Sequence, residues 1–130
     1  MYSKDFDIWN SKKKDLNSKN INRNLFYSAR EVWWCSLGVN IGVEVDGKNA
    51  DFERPFLIIK VFNSEQIWGV PLTSKEKISS HYVPVIHEKG VSYANISQIK
   101  TISTKRLLRK IGMVNEISFK QVIAKIKECI

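Results

Sequence analysis

Only two cysteines occur in these 130 residues, Cys35 and Cys129, far apart and without C-x-x-C spacing. A disulfide framework is not expected of a chain with this much apolar material, and both thiols read as reduced core residues. Long apolar runs are missing too. The longest, Pro55 to Ile59, stops at Lys60, far short of the ~20 residues needed to cross a bilayer. Met1-Tyr2-Ser3-Lys4-Asp5 lacks the apolar stretch of a signal peptide, so a soluble, cytoplasmic protein with no membrane attachment is expected. Histidine is scarce: His81 and His87 have no Cys or carboxylate trio around them, which argues against a zinc site. As an acid–base pair they would share a strand face by even spacing, but Pro84 lies between them and ordinary surface histidines are the simpler reading. No G-x-x-x-x-G-K-[ST] loop, G-x-G-x-x-G turn or G-x-S-x-G elbow occurs, which disfavours nucleotide-driven and α/β-hydrolase chemistry. No cofactor or metal is expected, and there are no repeats.

What is present fits one globular domain that buries roughly two thirds of its unfolded surface. Apolar residues make up 43% and aromatics 11%, too many for a disordered chain. The formal charge is +8, unevenly spread. Residues 1–30 hold seven Lys/Arg and three Asp, residues 31–99 six basic and eight acidic groups, and residues 100–130 eight basic and two acidic groups. Basic ends around a mildly acidic middle fit a polyanion docking across a composite surface; the plainer alternative is solubility.

Along the chain, Asp5 to Lys19 reads as an amphipathic helix with Phe6, Trp9 and Leu16 near one stripe and Lys12, Lys13, Lys14 and Lys19 on a basic flank. Asn17 to Asn24 reads as a linker. Strands are expected over Arg30–Leu37, Arg54–Phe62, Ile67–Leu72, His81–Ile86, Val91–Ile102 and Leu107–Met113, the last broken at Gly112. The loop from Gly38 to Asp51 is long for a hairpin, and such loops in compact domains are usually functional or mobile. Phe119, Val122, Ile123, Ile126 and Ile130 follow helical spacing, with Ser118 and Gln121 as a capping box. The coarse reading is a small, curved antiparallel sheet or barrel with a helix at each end of the chain.

Two segments carry chemistry. Phe52-Glu53-Arg54-Pro55 places a fixed cation at the start of one strand, and Val70-Pro71-Leu72-Thr73-Ser74-Lys75 ends the next in two hydroxyls and a lysine. If those strands pair, an arginine fork and two hydroxyl donors converge, a trio that suits a phosphodiester. The alternative is structural: Arg54 pairs with Glu53 or caps the strand, while Thr73 and Ser74 close a turn.

From Glu31-Val32-Trp33-Trp34 almost to the C-terminus, the chain resembles the MazF/PemK family of type II toxin–antitoxin toxins. Ile41-Gly42-Val43-Glu44 with Gly47 resembles the family's glycine–glutamate loop, Arg54-Pro55-Phe56-Leu57-Ile58-Ile59 its arginine–proline strand, and Val70-Pro71-Leu72-Thr73-Ser74 its threonine turn. Ser97-Gln98-Ile99-Lys100-Thr101, Arg106-Leu107 and Lys110-Ile111-Gly112 resemble its closing pattern. The resemblance implies a mainly β fold: an SH3-like (CcdB/PemK-type) antiparallel barrel with a C-terminal helix. An extra N-terminal helix and linker fill residues 1–24, with the toxin domain at 25–130. It further implies a homodimer, metal-independent and sequence-selective cleavage of single-stranded RNA, and neutralisation by an antitoxin. Arg54 and Thr73 then take the catalytic positions and Glu44 the loop carboxylate, while Ser74, Lys75, Phe52, Gln98 and Lys48 are expected to contact RNA.

In the expected reaction the ribose 2′-hydroxyl attacks the adjacent phosphorus, leaving a 2′,3′-cyclic phosphate and a 5′-hydroxyl. Arg54 and Thr73 stabilise the phosphorane, and Glu44 orients or deprotonates the hydroxyl. Phe52, Trp68 and Tyr82 are candidates for stacking on bases, with Trp33, Trp34 and Trp68 equally suited to a core. Two departures matter: Ser97 stands where many members have Asp, and Lys100 where Arg is usual. These favour the alternative of a relative that binds RNA or an antitoxin-like partner without cutting. A gyrase-poisoning toxin of the CcdB type is a third reading.

Overall fold

Seven strands pair into one antiparallel sheet flanked by two helices in a computed structural model that describes residues 4–20 and 26–130. The elements are α1 (Phe6–Ser18), β1 (Glu31–Ser36), β2 (Glu53–Val61), β3 (Gln66–Thr73), β4 (Tyr82–His87), β5 (Gly90–Asn95), β6 (Lys100–Ser103), β7 (Leu107–Met113) and α2 (Glu116–Glu128). The strand order is β4-β5-β3-β2-β1-β7, with β6 also on β3. The fold is therefore mainly β with two helices, as expected, but the sheet is not closed into a barrel. Among the described residues, β4 is joined to the chain just past β7 only by an isolated bridge, His87 to Val114.

The single strand expected over Val91–Ile102 is two strands. β5 pairs Ala94 and Tyr93 with Leu72 and Thr73 at one end of β3, and β6 pairs Lys100 to Ser103 with Gly69 to Gln66 at the other. The chain must bend to follow one edge of β3, and a 3₁₀ turn at Ile96–Gln98 makes that bend. β7 runs unbroken through Gly112.

Successive β2 residues face opposite sides of the sheet. Leu57 packs with Val32, Val70, Val85, Val114 and Val122 beneath α2, while Phe56 and Ile58 pack with Cys35, Leu37, Ile67, Ile102 and Leu107 on the other side. A third cluster, Trp9, Leu16, Val39 and Phe52, fastens α1 to the long loop before β2. Phe6 lies about 60° round the helix from Trp9 and is 51% exposed, so it leaves the expected stripe.

Asp5 caps α1, its carboxylate accepting from Ile8 N at 3.0 Å. α2 is capped by Asn115, not Ser118: the Asn115 side chain accepts from Ser118 N at 2.8 Å, and Ser118 Oγ instead accepts from Ile86 N at 3.1 Å. Ile130 lies past the helix end and is exposed. Cys35 is a buried free thiol, whereas Cys129 is exposed, which corrects its reading as a core residue. Of the expected linker, Asn17 and Ser18 belong to α1 and Lys19 caps it, while residues 21–24, with the domain boundary after residue 24, lie outside the described residues.

Candidate functional site

Phe56 of β2 pairs with Pro71 of β3, so Arg54 and Thr73 each stand two residues beyond that pair on adjacent strands. Their side chains line one cavity of about 290 Å³, together with Lys48, Lys75, Lys77, Tyr82 and Asn95. Among the described residues four of the lining side chains are cationic, and none is a carboxylate or imidazole. Such a lining concentrates positive potential in a concave site and suits an anionic ligand.

Arg54 is aimed by its surroundings. Its Nε donates to the Asp46 carbonyl at 2.8 Å, which fixes the plane of the guanidinium. The neighbouring Glu53 is buried and accepts both prongs of Arg109 at 3.0 and 2.9 Å; Arg109 in turn lies 5.1 Å over the Trp34 ring. The Glu53 carboxylate is therefore committed to Arg109 on the far side of the pleat. Thr73 Oγ1 accepts from Lys75 N at 3.3 Å, the turn-closing contact of the structural reading, and its hydroxyl proton can still be donated.

The loop from 38 to 52 forms the other wall through Val43 and Val45. Gln98 holds that wall from behind: its Oε1 accepts from Val45 N at 3.1 Å and its Nε2 donates to Val43 O at 3.2 Å. Asp46 Oδ1 accepts from Asn40 N at 2.6 Å, and Asp46 Oδ2 lies 3.4 Å from Lys4 Nζ, which also donates to the Asn40 and Gly42 carbonyls. Lys12 Nζ meets Asp51 at 3.0 Å, and the Trp9 and Phe52 rings stack tilted at 5.4 Å. Two glycines make this loop possible. A Cβ on Gly38 (φ +79°) would lie 2.0 Å from the Trp9 ring, and one on Gly47 would lie 1.7 Å from the Phe52 carbonyl oxygen.

Of the expected site residues, the structure brings Arg54, Thr73, Lys48 and Lys75 together at the cavity and places Gln98 one layer behind it. Glu44 is exposed on the loop, its carboxylate 3.5 Å from Ile41 N, and does not line the cavity; neither does the exposed Ser74. Phe52 is not available for stacking. It is buried against Trp9 in a left-handed conformation (φ 51°), a corner that delivers the chain into β2. Trp68 is 44% exposed but sits edge-on to Phe62 and lines a different, apolar cavity with Ile96, Ile99 and Ile126.

Tyr82 is at the site, held through a short chain in which Ser97 Oγ donates to Asn95 Oδ1 at 2.8 Å and Asn95 Nδ2 donates to Tyr82 Oη at 3.1 Å. Asn95 and Lys77 escaped the sequence reading. The pairing of Tyr82 with Asn95 across the β4–β5 hairpin was the signal for the first, and Lys77 lies on the coil between β3 and β4. His81 and His87 do not converge: Ser79 Oγ holds His81 at 2.8 Å, while His87 bonds Ser92 Oγ at 3.0 Å at the far end of β4.

Comparison with known proteins then specifies the family. No curated protein matches the sequence. Among solved structures, MazF (Form-I) from Deinococcus radiodurans is 17% identical and covers 82% of this chain and 97% of its own, with a TM-score of 0.67. An endoribonuclease from a mycobacterial species is 17% identical, covering 85% and 93% at a TM-score of 0.57. The MazE–MazF complex (Form-II) from D. radiodurans is 13% identical, covering 82% and 96% at 0.60. These likenesses establish a shared fold. A family model described as the PemK-like, MazF-like toxin of type II toxin–antitoxin systems matches residues 28–130, leaving α1 outside. The chain therefore belongs to the PemK-like, MazF-like toxins of type II toxin–antitoxin systems.

Proposed function

We propose that this toxin is an endoribonuclease of the cytoplasm that cuts single-stranded RNA sequence-selectively and without a metal, leaving 2′,3′-cyclic phosphate and 5′-hydroxyl ends. The toxin domain is taken to begin at residue 25, with residues 1–24 as an addition. The observation that carries the reading is the shared cavity of Arg54 and Thr73, with Lys48, Lys75 and Lys77 around them. RNA brings its own nucleophile, so the protein's task is alignment and charge stabilisation. The 2′-oxygen bonds to phosphorus, the bond to the 5′-oxygen breaks, and that oxygen takes up a proton. Arg54 clamps the nonbridging oxygens as they gain charge, Thr73 donates beside it, and Lys48 and Lys75 hold flanking phosphates. Tyr82 offers a ring to a splayed base. Glu44 shares its loop with the lining residues Val43 and Val45, and its role is to orient or take the 2′-hydroxyl proton once RNA is bound.

A second reading, binding without cleavage, is favoured by the lack of any carboxylate or imidazole among the lining residues and by Ser97's engagement with Asn95. Incubating the purified chain with a long RNA in EDTA separates the two. Discrete fragments ending in cyclic phosphate support the nuclease, and intact RNA that is nevertheless bound supports the second reading. Two partners complete the proposal. Likeness to a MazE–MazF complex supports an antitoxin as ligand. Exposed Phe62, Trp68, Ile99 and Ile130 support a second copy of the chain as a homodimer partner.

A further inference from the structure

α1 builds a second cationic cleft that the family-matched segment does not form alone. It measures about 430 Å³ and lies between the helix and the 3₁₀ turn at Thr104–Arg106. Lys13 and Lys14 face it from α1, and Lys105 and Arg106 from the turn. Among the described residues none of these four cations is ion-paired, and no carboxylate lines the cleft. Two of them are fixed in place by neutral acceptors: Lys105 Nζ donates to Asn17 O at 2.8 Å and Arg106 Nη1 to Ser36 O at 3.1 Å.

Burial and the nearby Lys12 both depress the pKa of Lys19, whose Nζ donates to the Lys105 carbonyl at 2.7 Å. Positive groups gathered without counter-ions, and partly immobilised, are preorganised for an anion supplied from outside.

We propose that this cleft is a second binding site for the phosphodiester backbone of single-stranded RNA, separate from the Arg54–Thr73 cavity. The other lining groups suit that ligand: Asn10, Asn17 and Ser103 offer amide and hydroxyl donors for phosphate and ribose, and among the described lining residues Leu16 is the one apolar side chain. An acidic peptide would need several apolar anchors, and the described lining offers only Leu16. The cleft's contribution is to affinity for long RNA and not to the reaction. The identity of the polyanion rests on the endoribonuclease reading, whereas the anion site itself does not.

The test uses the full chain carrying Arg54→Ala, so that RNA stays intact, and follows a labelled single strand of about 30 nucleotides by anisotropy across a salt series. Lys13→Gln with Lys14→Gln, both exposed, is expected to weaken binding tenfold or more at about 0.1 M salt and to flatten the log–log salt slope by about 1.4. Lys120→Gln with Lys127→Gln on α2 removes the same charge and is expected to change affinity less than about twofold. Equal losses in the two doubles, or none in either, would overturn the site. So would a loss confined to a polyglutamate probe, which would mark the cleft as a seat for an acidic protein segment. Cleavage by the Arg54-bearing chain is scored separately: bound but uncut RNA with cleft-dependent affinity refutes the nuclease and upholds this site, and cut RNA with cleft-independent affinity does the reverse.

Discussion

The two thiols, Cys35 and Cys129, differ chiefly in what surrounds them. Burial pushes the Cys35 thiol up to about 12, so it stays protonated and unreactive at neutral pH, while Cys129 is exposed at the end of α2. A thiol reagent such as DTNB is therefore expected to label one group in the native chain, at Cys129, and two after denaturation. Rapid labelling of Cys35 in the folded protein would contradict its burial. His87 is held as the neutral ring: Lys89 N donates to its Nδ1 at 3.2 Å, its Nε2 meets Ser92 Oγ, and burial lowers its pKa, with Glu88 opposing. A base whose folded pKa is lowered binds fewer protons folded than unfolded, so stability falls as pH drops below the unfolded value near 6.5. The melting temperature is expected to decline between about pH 7 and 5.5, and less so in His87→Gln; parallel declines would remove His87 from the account.

At the scale of the element, α1 is both strap and wall. Its Trp9 and Lys12, with Lys4 just ahead of the helix, grip the loop that carries Asp46, the acceptor of Arg54 Nε. Trp9 is 4% exposed, and Trp9→Ala is expected to cost about 3–5 kcal/mol in urea unfolding. A loss below about 1 kcal/mol would mean that α1 is not seated as described. This attachment was half legible in the sequence. Trp9 and Leu16 recur seven residues apart, and the periodicity placed both on the buried stripe. What they pack on, Phe52 and the Gly38 backbone, is set by tertiary contact, and no local pattern reports that. Phe52 was misread for the same reason: an aromatic next to a candidate cation looks alike whether it faces solvent or core. The strands were legible to within a residue or two where alternation and turn residues agreed. Alternation could not mark the bend at Ile96–Gln98, because Ile96 and Ile102 continue the apolar pattern across it. The α2 cap went to Ser118 because its spacing fits a capping box, while Asn115, three residues earlier, meets the backbone first.

For the whole molecule, charge and topology serve one surface chemistry. The +8 chain gathers cations at the cavity between β2, β3 and the loop, and again beside α1. Cations from residues 13–14 and 105–106 meet in that second cleft, which the uneven charge of the two chain ends foreshadowed without locating. The apolar cavity of Trp68, Ile99, Ile126 and Ile130 is a different kind of surface. If it joins two copies, light scattering will give twice the 15.1 kDa chain mass, and Trp68→Glu will halve it; a monomer at all concentrations would exclude the homodimer.

The most direct measurement is the initial rate of RNA cleavage in EDTA for the unaltered chain, Arg54→Ala and Arg54→Lys, with a melting curve for each. Expected are folded variants whose rates fall about 10²–10³-fold, Arg54→Lys included, since an ammonium keeps the charge but loses the fork. An Arg54→Ala chain that cuts RNA at the unaltered rate would contradict the assignment of Arg54 as the group that stabilises the transition state.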